Sequence, residues 1–341
     1  MPSSTVESLK QAAIVVAVAL VPVLVWLLFG VILMGMGAVL IAVLLNLGAE
    51  PLIRRLRLSR GVALVTSGVM ITCIVGAAAY YVTATQASQL QEVLQRVHQA
   101  VDSIQAGLQG SEIGRFILSH IQGENITVSG IAVGIFGISF GFLTALVISV
   151  FGGIYLAAQA EVYRDGLIQL LPHRLRANGA ETLEDIAHAL RLWMLGQMIG
   201  MVLIGLLTAL AAWLIGLPSA LALGLIAGLF EFIPYVGPIL GAIPAILVAA
   251  TQGLDTVLWT VAAYTLIQQL EGHVVAPLIS REMVYIPPLV LILGIVAITT
   301  LFGRYAAIFA APLAVIIFVA IKKLYIRDSL GDQTPIPGET P

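Results

Sequence analysis

The stretch EFIPYVGPILGAIPAIL, Glu231 to Leu247, decides the fold. Pro234, Gly237 and Pro238 fall within five residues of one another. Each proline removes a backbone donor and clashes with the preceding turn, so a regular helix cannot pass through them. Apolar arms of thirteen residues flank this break, residues 220–232 and 239–251. A bilayer core of about 30 Å needs roughly 20 apolar helical residues, so neither arm crosses alone. Broken backbone at membrane depth is tolerated only inside protein or against a water-filled cavity. The spacing therefore predicts a helical hairpin that enters the membrane, turns at the prolines and leaves again, with Pro244 in its second arm.

Composition places this hairpin in a bilayer. Of 341 residues 60% are hydrophobic and only 10% charged, against about 25% charged in an ordinary soluble domain. A soluble globule of this composition would expose apolar surface over much of its exterior. That excludes a soluble enzyme, a nucleic-acid binder and a disordered chain. The net charge of −2 carries no polyelectrolyte signal, and the single cysteine, Cys73, cannot close an intrachain disulfide.

Working outward, residues 256–272 form a further apolar element, and residues 286–321 a second long apolar stretch interrupted at Gly303-Arg304. The latter shares with the first hairpin a leading Leu-Phe, a broken middle and a proline, Pro312, in its second arm. This reads as a weak internal repeat, one element entering from each side, like the inverted pairs of broken helices in secondary transporters; chance similarity between two apolar stretches is the alternative. Toward the N-terminus, residues 11–49 carry no charge and are long enough for two crossings, with Gly30, Gly35 and Gly37 near the turn between them. Residues 61–84, 130–158 and 192–215 supply three more. The expected fold is an all-α integral membrane protein with six full crossings, two interrupted hairpins and an amphipathic extracytoplasmic helix.

Four of the sixteen basic residues lie in RRLRLSR, Arg54 to Arg60, and Lys322, Lys323 and Arg327 follow the last apolar run. The positive-inside rule places both groups, and both termini, in the cytoplasm. The first apolar run is too long for a cleavable signal peptide. Residues 85–129 then lie outside, where Leu90, Leu94, Val97, Val101, Ile104 and Leu108 repeat at steps of 4, 3, 4, 3 and 4. This seam fits a stalk between subunits or a helix lying on the headgroups. The organisation expected is a three-helix membrane segment over 1–84, the outer segment 85–129, a fourth crossing over 130–160, a cytoplasmic amphipathic segment over 161–191, a transport core over 192–326 and a cytoplasmic tail over 327–341.

Ionisable groups inside apolar stretches are informative, because each costs about 2.5–3.5 kcal/mol near the bilayer centre. Glu231 directly precedes the break, Gln268, Gln269, Glu271 and His273 close the element over 256–272, and Arg304 sits at the second break. Glu231 and the Gln268–Glu271 cluster could line a polar cavity holding a hydrophilic solute or a cation. They could also simply end helices at the water boundary, and Arg304 could snorkel to the headgroups. The hinge set is Pro234, Gly237, Pro238, Pro244, Pro277 and Pro312. No HExxH, GxSxG, P-loop or cysteine cluster is present, so no catalytic residue, metal or cofactor is expected.

The segment EFIPYVGPILGAIPAIL followed by LIQQLEGHVVAPLI, Leu266 to Ile279, resembles the paired signature of the autoinducer-2 exporter family of membrane transporters. Pro234, Gly237, Pro238, Gln268, Gln269, Glu271 and Pro277 stand at positions of that pattern. EPLIRRLRLSRGVAL and Leu301 to Gly303 are similar too. His273 departs from an expected amide or small polar residue, and Tyr285-Ile286-Pro287-Pro288 replaces the usual Leu-His-Pro. The resemblance implies an inner-membrane permease in contact with lipid and a small polar solute. It also implies a homo-oligomer, with a pentamer as the family's expectation. Export of a quorum-sensing furanone and Na⁺ or Li⁺ exchange for H⁺ are both functions it implies. A solute exporter, a cation/proton antiporter and a non-transporting scaffold thus remain as alternatives.

Overall fold

The structure, a computed structural model, describes residues 20, 23–77, 80, 140–275, 287–303 and 306–332. The segment over 85–129, Pro277, Arg304 and the tail from 333 onward lie outside the described residues. Every regular element among the described residues is helical. In chain order these are α1 (Phe29–Leu56), α2 (Arg60–Ala77), α3 (Phe140–Ala158), α4 (Ala160–Gln169) and α5 (Arg176–Ile215). There follow α6 (Ala220–Phe230), α7 (Val236–Ala250), α8 (Leu254–Leu270), α9 (Pro288–Phe302) and α10 (Ala307–Ala320). A short π-helical turn extends α8 over Glu271–Val275, and another extends α10 over Ile321–Arg327.

Among the described residues, four stretches are long and apolar enough to cross a membrane: α1, α2, His173–Ile215 and Ala307–Arg327. A fifth arises if α3 and α4, bent by 89° at Gln159, count as one span. The 40-residue α5 is about 60 Å long at 1.5 Å per residue, twice a bilayer core. Its polar first half therefore projects beyond the apolar run it leads into. Trp26, Phe151, Trp213, Trp259 and Leu301 are each more than three-fifths exposed. A soluble protein would bury side chains of this kind, whereas lipid covers them.

The glycines expected to mark a turn between two crossings do not do so. The α1 helix runs unbroken through Gly30, Gly35 and Gly37. Glycine serves close packing here: a Cβ on Gly37 would lie 2.5 Å from Ser149 Oγ of α3. The Ser149 hydroxyl donates to the Met34 carbonyl at 3.0 Å across the same contact. The basic loop is also shorter than the sequence indicates. Arg54 and Arg55 belong to the last turn of α1, and the turn itself is residues 57–59, with Arg57 in the left-handed region.

The α5 helix is the axis of the molecule, packed by α1, α6, α8 and α10. Ala189, Leu190, Val315 and Val319 join α5 to α10, while Met36, Leu40 and Met194 join it to α1. At its C-terminal end, Ala212, Leu223, Ala245, Val248 and Tyr264 tie α5 to α6, α7 and α8. Lys323, buried at the end of α10, reaches Glu181 at 3.0 Å and Asp185 at 3.7 Å on the polar half of α5. On the other side of that half, Arg191 pairs with Glu50 of α1, which also holds Arg54.

Candidate functional site

The break between α6 and α7 is built tightly. Past Phe230, the Phe232 and Ile233 amides still donate to Leu229 and Phe230, and then Val236 N–H donates to the Pro234 carbonyl at 2.8 Å. That two-residue closure is a γ-turn centred on Tyr235, at φ 65° and ψ −40°. This form of γ-turn is rare and strained for a residue with a side chain, and such strain persists only where the surroundings over-determine it. Gly237 closes the turn: a Cβ there would stand 1.9 Å from the Phe230 carbonyl oxygen. The two arms then run side by side, with Gly241 of α7 against Ala227 of α6. Seating on α5 is equally close, because Gly224 and Gly228 of α6 meet Gly205 backbone to backbone. Small residues at such spacing allow helices to approach closely within a membrane.

Glu231 is the first residue after α6, and it is only 4% exposed. Gln197 Nε2, from α5, donates to its backbone carbonyl. Phe232 packs edge-on against Trp193 at 5.8 Å and into the Met36–Leu40–Met194 cluster, which walls the break on the α1 side.

The α8 helix presents Thr260, Tyr264 and Ile267 inward, all buried, at steps of 4 and 3. Glu271 continues that face one turn further, where the helix widens into its π-turn. The Glu271 carboxyl there meets the Glu231 carboxyl within hydrogen-bonding reach, and the Gln268 side-chain amide faces it from the same helix. One oxygen of each carboxyl, Oε2, is buried with no hydrogen-bond donor. Neither group forms an ion pair among the described residues. Two buried carboxyls in contact repel when both are charged, so the arrangement is suited to hold a cation, H⁺ or Na⁺, between them.

Glu231, Gln268 and Glu271, named from the sequence, thus converge from two elements. Gln269 and His273 lie on the exposed side of the helix, where His273 Nδ1 contacts the Gln269 carbonyl at 3.0 Å. Pro234, Gly237 and Pro238 make the break or the first turn after it, Pro244 lies inside α7 and Pro312 is buried inside α10. Gln197 escaped the sequence reading. The signal for it is present, since it is the one amide in the apolar run over 192–215.

Comparison with known proteins gives the family of the chain. YrrI of Bacillus subtilis, provisionally named a transport protein, is 32% identical over 193 residues, 57% of this chain and 54% of YrrI. PerM of Escherichia coli K12, provisionally named a permease, is 30% identical over 169 residues, 49% of this chain and 48% of PerM. TqsA of the same bacterium, named an AI-2 transport protein, is 29% identical over 125 residues, 35% of this chain and 36% of TqsA. These matches span about half or less of each relative. The profile described as AI-2E family transporter matches residues 13–326, and the chain belongs to that family of membrane transporters.

Proposed function

We propose that the protein is a secondary permease of the bacterial inner membrane that exports a small polar metabolite, such as a quorum-sensing autoinducer, in exchange for protons. The observation that carries this reading is the meeting of the Glu231 and Glu271 carboxyls at the α6–α7 break. A purely structural element has no need of two carboxyls in contact at a strained break, flanked by amides from α5 and α8. In this reading α6 and α7 are re-entrant, both termini are cytoplasmic, and Gln197, Gln268 and the two carboxyls contact the solute or the coupling ion.

The same pair also supports a second reading, Na⁺(Li⁺)/H⁺ antiport, since paired carboxylates are ligands for hard cations as well as for protons. Everted membrane vesicles loaded with a pH dye separate the two. In the first reading the dye responds to the furanone autoinducer-2 and not to Na⁺ or Li⁺; in the second it responds to the cations. A chain that answers to neither, with Glu271→Gln vesicles indistinguishable from wild type, would remove the pair from the transport mechanism.

A further inference from the structure

Tyr264 of α8 precedes Glu271 by seven residues, which places it on the same helical face about 10 Å along the axis. Its ring is buried, and its hydroxyl donates to the Gly241 carbonyl of α7 at 3.2 Å. Its ring also shares a buried cluster with Ala212 of α5. One side chain therefore joins three helices. The first carries Gln268 and Glu271, the second follows the Glu231 break, and the third carries Gln197.

The surfaces around it are smooth. Gly205, Gly224 and Gly228 join α6 to α5, and Gly241 meets Ala227 between α6 and α7. Glycine and alanine surfaces offer few of the side-chain ridges that lock one helix in register with another. Leu223, Ala245, Val248 and Ala249 fill the space around Tyr264 with apolar contact, which has no direction. A hydrogen bond does have direction and a fixed length. Pro244, three residues after Gly241, removes a backbone donor from this part of α7 and loosens its internal ladder.

We infer that Tyr264 is a positioning residue for the carboxyl pair: its hydroxyl fixes the height of the α6–α7 unit against α8, and through it the separation of Glu231 from Glu271. This rests on the pair being the coupling site, yet it is tested on geometry alone. Cys73 is the single cysteine, so Cys73→Ala gives a clean background. In the full-length protein, Glu231→Cys with Glu271→Cys is bridged by a short bis-methanethiosulfonate, and the rate is followed by intact mass spectrometry. Adding Tyr264→Phe, which keeps the ring, should slow bridging about fivefold, the factor that loss of one neutral hydrogen bond allows. Ala42→Cys with Ala157→Cys, in the separate α1–α3 cluster, should bridge at an unchanged rate in either background. If the 231–271 pair bridges equally fast in the Tyr264→Phe background, Tyr264 does not position it. If the control pair slows as well, the hydroxyl merely stabilises the bundle, and the positioning role is overturned. If the 231–271 pair fails to bridge even with Tyr264 intact, the carboxyl contact itself is wrong and the proposed function falls with it.

Discussion

The two broken elements of this chain share a sequence pattern and differ in structure. In both, a leading Leu-Phe precedes a disrupted middle and a proline-bearing second arm. In α6–α7 both arms are short, 11 and 15 residues, and five of the eleven residues of α6 are buried, three of them Gly or Ala positions facing α5 or α7. In α9–α10 the first arm buries only Ile295, while Leu289, Leu293 and Leu301 face outward. The second arm is the buried one, and with its π-turn it reaches 21 residues, long enough to cross. The apolar pattern alone therefore does not decide which kind of element forms. Glycines that meet neighbouring backbone closely and a buried carboxyl at the break set α6–α7 apart from α9–α10, whose buried second arm is lined by alanines instead.

That contrast can be broken at the glycines. Gly237→Ala would drive a methyl to 1.9 Å from a backbone oxygen, with no flexible side chain to yield. We expect a loss of about 4 kcal/mol or more, seen as failure to recover monodisperse protein in detergent. Gly303 closes α9 at φ 87° and ψ 169°, with open space around it. Gly303→Ala meets only backbone strain, so a loss of about 1–3 kcal/mol is expected, with folded protein that unfolds at lower temperature. Gln197→Leu should cost about 1–2 kcal/mol by leaving the Glu231 carbonyl without its donor. The comparison sharpens most at Gly294, where a Cβ would make an ordinary contact at 3.8 Å with Ala314. Gly294→Ala should raise stability by about 0.5–1 kcal/mol through helix propensity alone. Equal effects at Gly237 and Gly294 in thermal unfolding would erase the distinction between the two elements.

How much of this was legible beforehand depended on how many jobs a residue type can do. Glu231, Gln268 and Glu271 were legible because carboxyls and amides inside apolar runs are costly and have few uses there. The break at Pro234–Pro238 was legible because proline has one backbone consequence. Glycine has several: Gly30, Gly35 and Gly37 read as a turn, whereas at Gly37 the structure shows a seat for Ser149. The ionic ties at the polar end of α5, Glu50 to Arg191 and Glu181 to Lys323, link residues more than 140 positions apart. No local pattern announces such pairs. Gln197 lay within reach but was hidden by the apolar run around it, and its partner is a carbonyl 34 positions away.

The central claim is that Glu231 and Glu271 act as one cation site. Its most direct test is proton flux in proteoliposomes carrying a pH dye, driven by autoinducer-2 and, separately, by Na⁺, across about pH 6 to 8. Wild type, Glu231→Gln, Glu271→Gln and the double variant are compared at equal reconstituted amounts. Each single change should lower the flux by at least about tenfold, and the double variant should do no worse than the lower single, as for groups that act as a unit. Wild-type flux from Glu271→Gln across that range would contradict the account and leave Glu271 as a residue that merely ends a helix.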